Sequence, residues 1–368
     1  MLGRLVLVGG GHAHLFVLEA VAAGRFPGTD VTLVSASRHQ TYSGLVPAFV
    51  AGLVEESALT IDLARLAERA RARFVEGRVT EVETQARRVR LEDGRVEDYR
   101  TLSFATGALP GGLEVPGVLD HARSIRPLAR VRELVASLDV APAGTAVAVV
   151  GGGAGGVEIA FAICKRLGAR GHVAVVDAGP RLMLDRGEET ARVAMEELRR
   201  RHIGVALGAR VLEVVPEGLR LDSGAMVRAQ LVVWAAGGTP PSLFRDSGLA
   251  TDEAGWLLVD ETLRSVSHPD IFAAGDAAAV QGAPWVPKAG VHAVRQGPVL
   301  TGNLIAATSG RPIQRRFRAQ RDFVALLGTA DGSAIFSRGK VAFASPLAWR
   351  LKEWIDGKFM RRFQKVGG

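Results

Sequence analysis

The chain repeats its own opening. Residues 4–24 read RLVLVGGGHAHLFVLEAVAAG and residues 145–168 read TAVAVVGGGAGGVEIAFAICKRLG. In both, an apolar run ends in glycines and a helix-like stretch follows; Gly151 stands 142 positions after Gly9. A second apolar run comes next in each copy, Val31-Thr32-Leu33-Val34 and Val173-Ala174-Val175-Val176. Short alternating segments at 74–98 and 203–228, broken at Gly77 and Asp93-Gly94 in the first, read as antiparallel meanders. Each meander leads to a buried run and a small-residue turn, Leu102–Gly107 and Leu231–Gly237. One glycine motif says little; two with the same downstream order indicate a duplicated nucleotide-binding unit.

The expected fold class is therefore α/β, with two Rossmann-like dinucleotide-binding domains that carry antiparallel meanders. The composition suits this: 44 glycines and only 6% aromatics fit tight strand–helix turns and sheets buried on both faces. A third strand–glycine segment, DIFAAGDAAAV at 270–280, has no unit of its own. We assign it to the first unit. The second unit is then inserted in the first: residues 1–110 and 238–300 form one domain, 111–237 the other, and 301–368 a small C-terminal region.

In the second unit Gly151, Gly153 and Gly156 keep the G-x-G-x-x-G spacing, which admits a pyrophosphate at a helix N-terminus. Asp177, 21 residues after Gly156, ends the next strand and suits the adenosine ribose hydroxyls of NADH. Arg181 lies close enough to meet a 2′-phosphate instead, so NADPH stays open. Gly237, in the turn after the last strand, is a further cofactor candidate. The first unit is less regular. Gly9 and Gly11 hold two positions, but His14 stands at the third and Ser35 where an acid is expected. Arg38 is placed for phosphate or adenine, and Val79 opens the first meander beside the cofactor. Gly275 and Asp276 put a carboxylate at a helix start near this second dinucleotide.

The two units, the turn Ala105-Thr106-Gly107 and the turn Gly275-Asp276 resemble the pyridine-nucleotide–disulfide oxidoreductase superfamily over essentially the whole chain. Within it the chain is similar to type II NADH dehydrogenases. It is more similar still to a flavoprotein branch found alone or fused in front of selenophosphate synthetase, through GGGHAH at 9–14, YSGLVPAFVAG at 42–52 and PKAGVHAVRQGPVL at 287–300. The resemblance implies FAD in the first unit and NAD(P)H in the second. It assigns Asp276 to the ribityl chain, Thr106 and Gly107 to the flavin nucleotide, and Lys288 and Ala289 to the isoalloxazine. It puts Glu158 near nicotinamide and flavin, where it orients the nicotinamide or relays a proton; otherwise Glu158 is a carboxylate at a helix start favoured by the dipole.

Hydride transfer between stacked rings needs orientation more than side-chain chemistry, so no triad is expected. The one cysteine, Cys164, sits among Ala162, Ile163 and Leu167 and reads as core. Disulfide and sulfide–quinone chemistry in this superfamily use cysteine pairs, so the acceptor is expected to be another small molecule. A quinone is one choice, although Gly290 and Arg295 occupy the positions of the glutamines that anchor it in type II dehydrogenases. A selenium or sulfur compound is the alternative, and a non-enzymatic FAD- and NAD-bound regulatory module the rival reading. His12 and His14 flank the first phosphate turn, and His292 lies on a helix under the flavin with a protonation role in view. No histidine grouping has metal-ligand spacing.

The net charge of +8 is local. After Gly310 there are 13 Lys or Arg against 4 Asp or Glu; elsewhere there are 33 against 34. Leu347, Leu351, Ile355, Phe359 and Phe363 recur every four residues, with Trp349, Trp354 and basic residues including Arg350, Lys358, Arg362 and Lys365 between them. This helical face packs on the first unit or across a homodimer, or lies on the inner face of the cell membrane. The resemblance implies the last, since type II dehydrogenases attach through this region. With no cleavable apolar leader, the expectation is a cytoplasmic protein. Nucleic acid is not an expected partner.

Overall fold

The computed structural model describes residues 3–364; Lys365 of the basic tail lies outside them. Two five-stranded parallel sheets form the two halves. The first runs Ile271–Ala273, Thr101–Phe104, Gly3–Val8, Thr29–Ser35, Arg73–Glu76. The second runs Ala122–Ser124, Leu231–Trp234, Thr145–Val150, Gly171–Val176, Gly204–Ala206. The repetition is metrical: Gly3 pairs with Thr29 and Thr145 with Gly171, an offset of 26 residues in both units. Central runs such as Leu5-Val6-Leu7-Val8 and Val147–Val150 are buried on both faces, as sheets sandwiched by helices demand. Each unit carries its three-stranded meander, and each meander has its register shift at the same place, Val79/Glu81 and Val211/Glu213.

The strand Ile271–Ala273, which follows the second unit in the chain, completes the first sheet beside Thr101–Phe104. The chain passes between the halves along a two-stranded ribbon, Leu109–Pro110 against Gly238–Thr239.

Four helices bear on the site and its surroundings: α1 (His12–Ala22), α2 (Ala154–Leu167), α3 (Gly290–Thr308) and α4 (Pro346–Gln364). α2 can lie close to its strand because Gly156 has no Cβ; one there would collide with the Gly151 carbonyl oxygen. α1 has His14 in that place. The first turn accommodates it by another device: the fully buried imidazole bonds the Gly9 carbonyl at 2.6 Å and the Ser103 hydroxyl at 2.9 Å.

The C-terminal region is a three-stranded antiparallel sheet, Ala325–Gly328, Ala334–Arg338 and Val341–Ser345, followed by α4. It belongs to neither half alone. Leu327, Ile335 and Ala342 join the core of the second unit, whereas Phe359, Met360 and Phe363 join the core of the first.

Candidate functional site

A cavity of about 600 Å³ runs along the second sheet's C-terminal edge, where open parallel sheets hold their ligands. Gly151, Gly153, Gly155 and Gly156 line its floor; Asp177, Gly237, Asp276, Lys288 and Ala289 line its length. A Cβ built on Gly153 or Gly155 meets nothing within 4 Å, so these backbones face open space at the start of α2. That is the shape a pyrophosphate requires. Asp177 is held in place by two amides, accepting from Gly152 N at 2.5 Å and Gly179 N at 2.7 Å. Arg181 points elsewhere: its guanidinium donates to the carbonyls of Leu182, Met183, Leu184 and Arg186 and staples its own loop.

A second cavity of about 310 Å³ adjoins the first and shares Asp276 and Lys288 with it. Gly275 (φ +71°) turns the chain there, and its amide donates to Gln296 of α3 at 2.6 Å. Burial pushes the Asp276 carboxyl up, opposed by the Arg126 and Lys288 charges, and no described residue hydrogen-bonds it. A half-buried carboxylate opening on two cavities is a ready acceptor for hydroxyl groups, and this is the observation by which the site fits a flavin ribityl chain. Burial lowers the Lys288 ammonium to about 8. It donates to Ala278 O at 2.5 Å and lies 4.3 Å from the Trp256 ring centre. Ala289 is extended and caps α3, so the first free amides of that helix open beside these groups.

The other candidates of the first unit gather around its turn. Gly9 has φ +91°, and Gly11 N donates to Ala105 O at 3.0 Å, tying the turn to Thr106 and Gly107 (φ +73°). Ser35 is buried and its hydroxyl donates to Ser37 O at 2.9 Å. Arg38 forms a forked pair with Asp62 at 2.9–3.2 Å. Val79 is buried at the start of the meander. His12 lies against Tyr42 and Phe359, ring centres 5.4 and 5.3 Å away, and burial lowers it to about 4. His292, 3% exposed on α3, has neither ring nitrogen hydrogen-bonded.

Glu158 does not line the cleft. Its Oε1 accepts from Gly328 N at 2.8 Å and lies 4.0 Å from Lys352 Nζ of α4. Burial raises its carboxyl, opposed by Lys352 and the Gly328 amide. Lys352 also donates to Asp356 at 3.0 Å and Gly44 O at 2.9 Å, and Tyr42 donates to Asp356 at 2.8 Å. Burial alone would lower Lys352; Glu158 and Asp356 more than offset it. This network escaped the sequence reading. Its signal was the i, i+4 pair Lys352/Asp356 in phase with Ala348, Met360 and Phe363, which is the buried stripe of α4. The row Leu347, Leu351, Ile355 is offset by one residue and faces outward, at 72%, 40% and 40% exposure. Only Phe359 and Phe363 of that row pack inward.

Residues 3–297 match the family model of the pyridine nucleotide-disulphide oxidoreductases. An NADH dehydrogenase-like protein of Mycobacterium tuberculosis is 30% identical over 298 residues, 76% of this chain and 73% of its own length. The demethylphylloquinone reductase of Synechocystis is 26% identical over 94% of this chain and 89% of its own length. Among solved structures, NDH2 from Plasmodium falciparum in complex with NADH superimposes with a TM-score of 0.85 at 14% identity, covering 99% of this chain and 98% of that one. With two glycine turns, a shared cleft and these relatives, the chain belongs to the pyridine nucleotide-disulphide oxidoreductase family and is an FAD-dependent NAD(P)H oxidoreductase.

Proposed function

We propose that the protein oxidises NADH in the larger cavity and delivers the electron pair to a small acceptor other than a disulfide. FAD, when bound, supplies the two-electron relay between the two substrates. The chain's own residues orient and exclude. The Gly153–Gly156 backbone and the start of α2 receive the pyrophosphate, and Asp177 receives the adenosine ribose. Asp276 would hold the ribityl hydroxyls of a bound FAD, and the free amides at the start of α3 would favour negative charge on its ring system. Lys288, with its ammonium near 8, sits where the two cavities meet and can hold a proton there.

The observation that carries the acceptor class is Cys164. It is the only cysteine, it lies on α2 with Sγ 3.8 Å from Arg201 O, and burial raises its thiol. It lines neither cavity. A quinone is the first acceptor to test, because a demethylphylloquinone reductase and a type II NADH:quinone oxidoreductase are among the relatives. Purified yellow protein mixed with NADH without acceptor should bleach, and a soluble quinone should restore the colour. A flavin spectrum unmoved by either nicotinamide would leave the regulatory-module reading in its place.

The outer face of α4 supports a second element of this reading, work at a membrane surface. No helix among the described residues is long and apolar enough to cross a membrane. Leu347, Leu351, Trp354 and Ile355 nevertheless stand exposed beside Val341 and Phe343.

A further inference from the structure

Three side chains, the buried His292 and the half-buried Arg186 and Arg295, keep polar atoms shut from solvent without a hydrogen bond. His292 and Arg295 are one turn apart on α3, and Arg186 reaches them from the loop before the helix Glu188–Arg200. Phe323 joins them: the Arg186 guanidinium carbon lies 4.3 Å from its ring centre and the His292 ring 4.9 Å. Phe317 covers the other side of the imidazole at 6.3 Å. Both His292 nitrogens, Arg295 Nη1 and Arg186 Nε are shut from solvent without a hydrogen bond. Asp185 pairs with Arg186 Nε at 3.3 Å, but burial outweighs that pairing and still lowers the guanidinium.

Among the other described residues no arginine nitrogen is left buried and unbonded. Arg166 and Arg201 are forked onto carboxylates and carbonyls. Buried cations without partners are costly, and structures keep them where a ligand completes them. The electrostatics agree. Burial lowers His292 to about 4, and the Arg295 and Arg186 charges push in the same direction. The imidazole is therefore neutral at pH 7, with one N–H to donate, the Arg186 and Arg295 charges near it, and the Phe323 ring shared with Arg186. Such a set matches an oxyanion or carboxylate on a flat apolar body.

The position is also informative. Arg186 lines the larger cavity and His292 the smaller, and the two cavities meet at Asp276 and Lys288. The pyrophosphate turns lie elsewhere, at Gly151–Gly156 and Gly9–Gly11. We propose that Arg186, His292 and Arg295 form an anion-binding subsite, and that the electron acceptor is a small molecule whose acid group docks there. This rests on the NADH-oxidising reading above and narrows its acceptor. In the overall reaction NADH gives two electrons and its hydride proton, one further proton comes from solvent, and the acceptor A leaves as AH2 with its acid group unchanged.

The test has two arms. In the first, the oxidised holoprotein is titrated calorimetrically with benzoate and with the neutral isostere benzamide at fixed ionic strength. Benzoate should bind about ten-fold or more tightly than benzamide, and Arg295→Gln should erase that ratio. Equal binding of the two probes by the unaltered protein overturns the subsite, and so does a ratio that survives in Arg295→Gln. In the second, NADH-bleached protein is reoxidised by 1,4-naphthoquinone-2-sulfonate or by 1,4-naphthoquinone. The sulfonate should react about ten-fold faster at equal concentration. Equal rates, or reoxidation by neither compound, overturn the assignment of the subsite to the acceptor. The first arm uses no electrons, so a protein that binds benzoate but is not bleached by NADH refutes the activity while leaving the subsite.

Discussion

Asp177 has both oxygens engaged by backbone amides, which fixes the carboxylate at the wall of the larger cavity, and Arg181 is consumed by its own loop. A negative charge held there favours ribose hydroxyls and repels a 2′-phosphate. Asp177→Ala should therefore lower kcat/KM for NADH by about ten-fold or more relative to NADPH, read in steady-state kinetics; equal losses for both would contradict the role. Asp276 lends itself to a similar argument. Its half-buried carboxylate has no hydrogen-bond partner among the described residues, so Asp276→Ala should weaken FAD retention by about ten-fold or more, measured as flavin lost on gel filtration at known concentration. Unchanged occupancy would remove it from the flavin site. Both residues were legible because local geometry places them: each follows a glycine turn or a strand end at a countable distance. Lys352, Asp356 and Tyr42 were not. Their burial depends on contacts more than 300 positions apart in the chain, and the local phase of Lys352 and Asp356 with Ala348 and Met360 competes with the stronger apolar row one residue away.

Among the elements, α4 divides along its length and around its axis. Its C-terminal half seats Phe359, Met360 and Phe363 in the first core, and Arg362 clamps Glu19 at 2.6–2.8 Å. Its N-terminal half presents Leu347, Leu351, Trp354 and Ile355 outward, with Lys358 5.0 Å from the Trp354 ring centre. A fourfold row of apolar residues announced an amphipathic helix, but the stripe that packs is the neighbouring one, because α4 is turned by the Lys352 network. An exposed apolar face rimmed by Arg350, Lys340 and Lys358 matches an anionic lipid surface, at about 1 kcal/mol per nearby cation. Full-length protein should sediment with anionic vesicles at low salt and be released by high salt. Deleting α4 would also strip three side chains from the core, so the informative variant is Leu351→Glu with Trp354→Glu, which should stay folded and remain in the supernatant. Full-length protein that ignores the vesicles at low salt would end the membrane reading.

For the whole molecule, stability should depend on acid in a particular way. His14 is fully buried and lowered to about 4 by desolvation, against the opposing Gly9 bond; His292 is lowered to about 4 as well. A folded value below the unfolded one near 6.5 means that the unfolded chain binds the proton first. The stabilisation is whole above pH 6.5 and is lost as pH falls toward 4, by about 1.4 kcal/mol per unit for each group. The unfolding midpoint should drop between pH 7 and pH 5, and more shallowly in His14→Gln; identical slopes would show that His14 carries no such linkage. The parallel sheets, their meanders and their repetition could be read in advance, since each is written in contiguous periodic segments. The way the C-terminal region spans both cores could not, because it is settled by pairings between distant parts. Tyr42 bonds Asp356, Phe16 packs on Phe363 with ring centres 5.2 Å apart, and Gln364 reaches the carbonyls of Ser57 and Thr60. α4 thus closes over α1 and the segment around Tyr42. Removing α4 from Phe359 onward would therefore uncover His12, Phe16 and Tyr42 and loosen the first half at the contact that ties it to the C-terminal region.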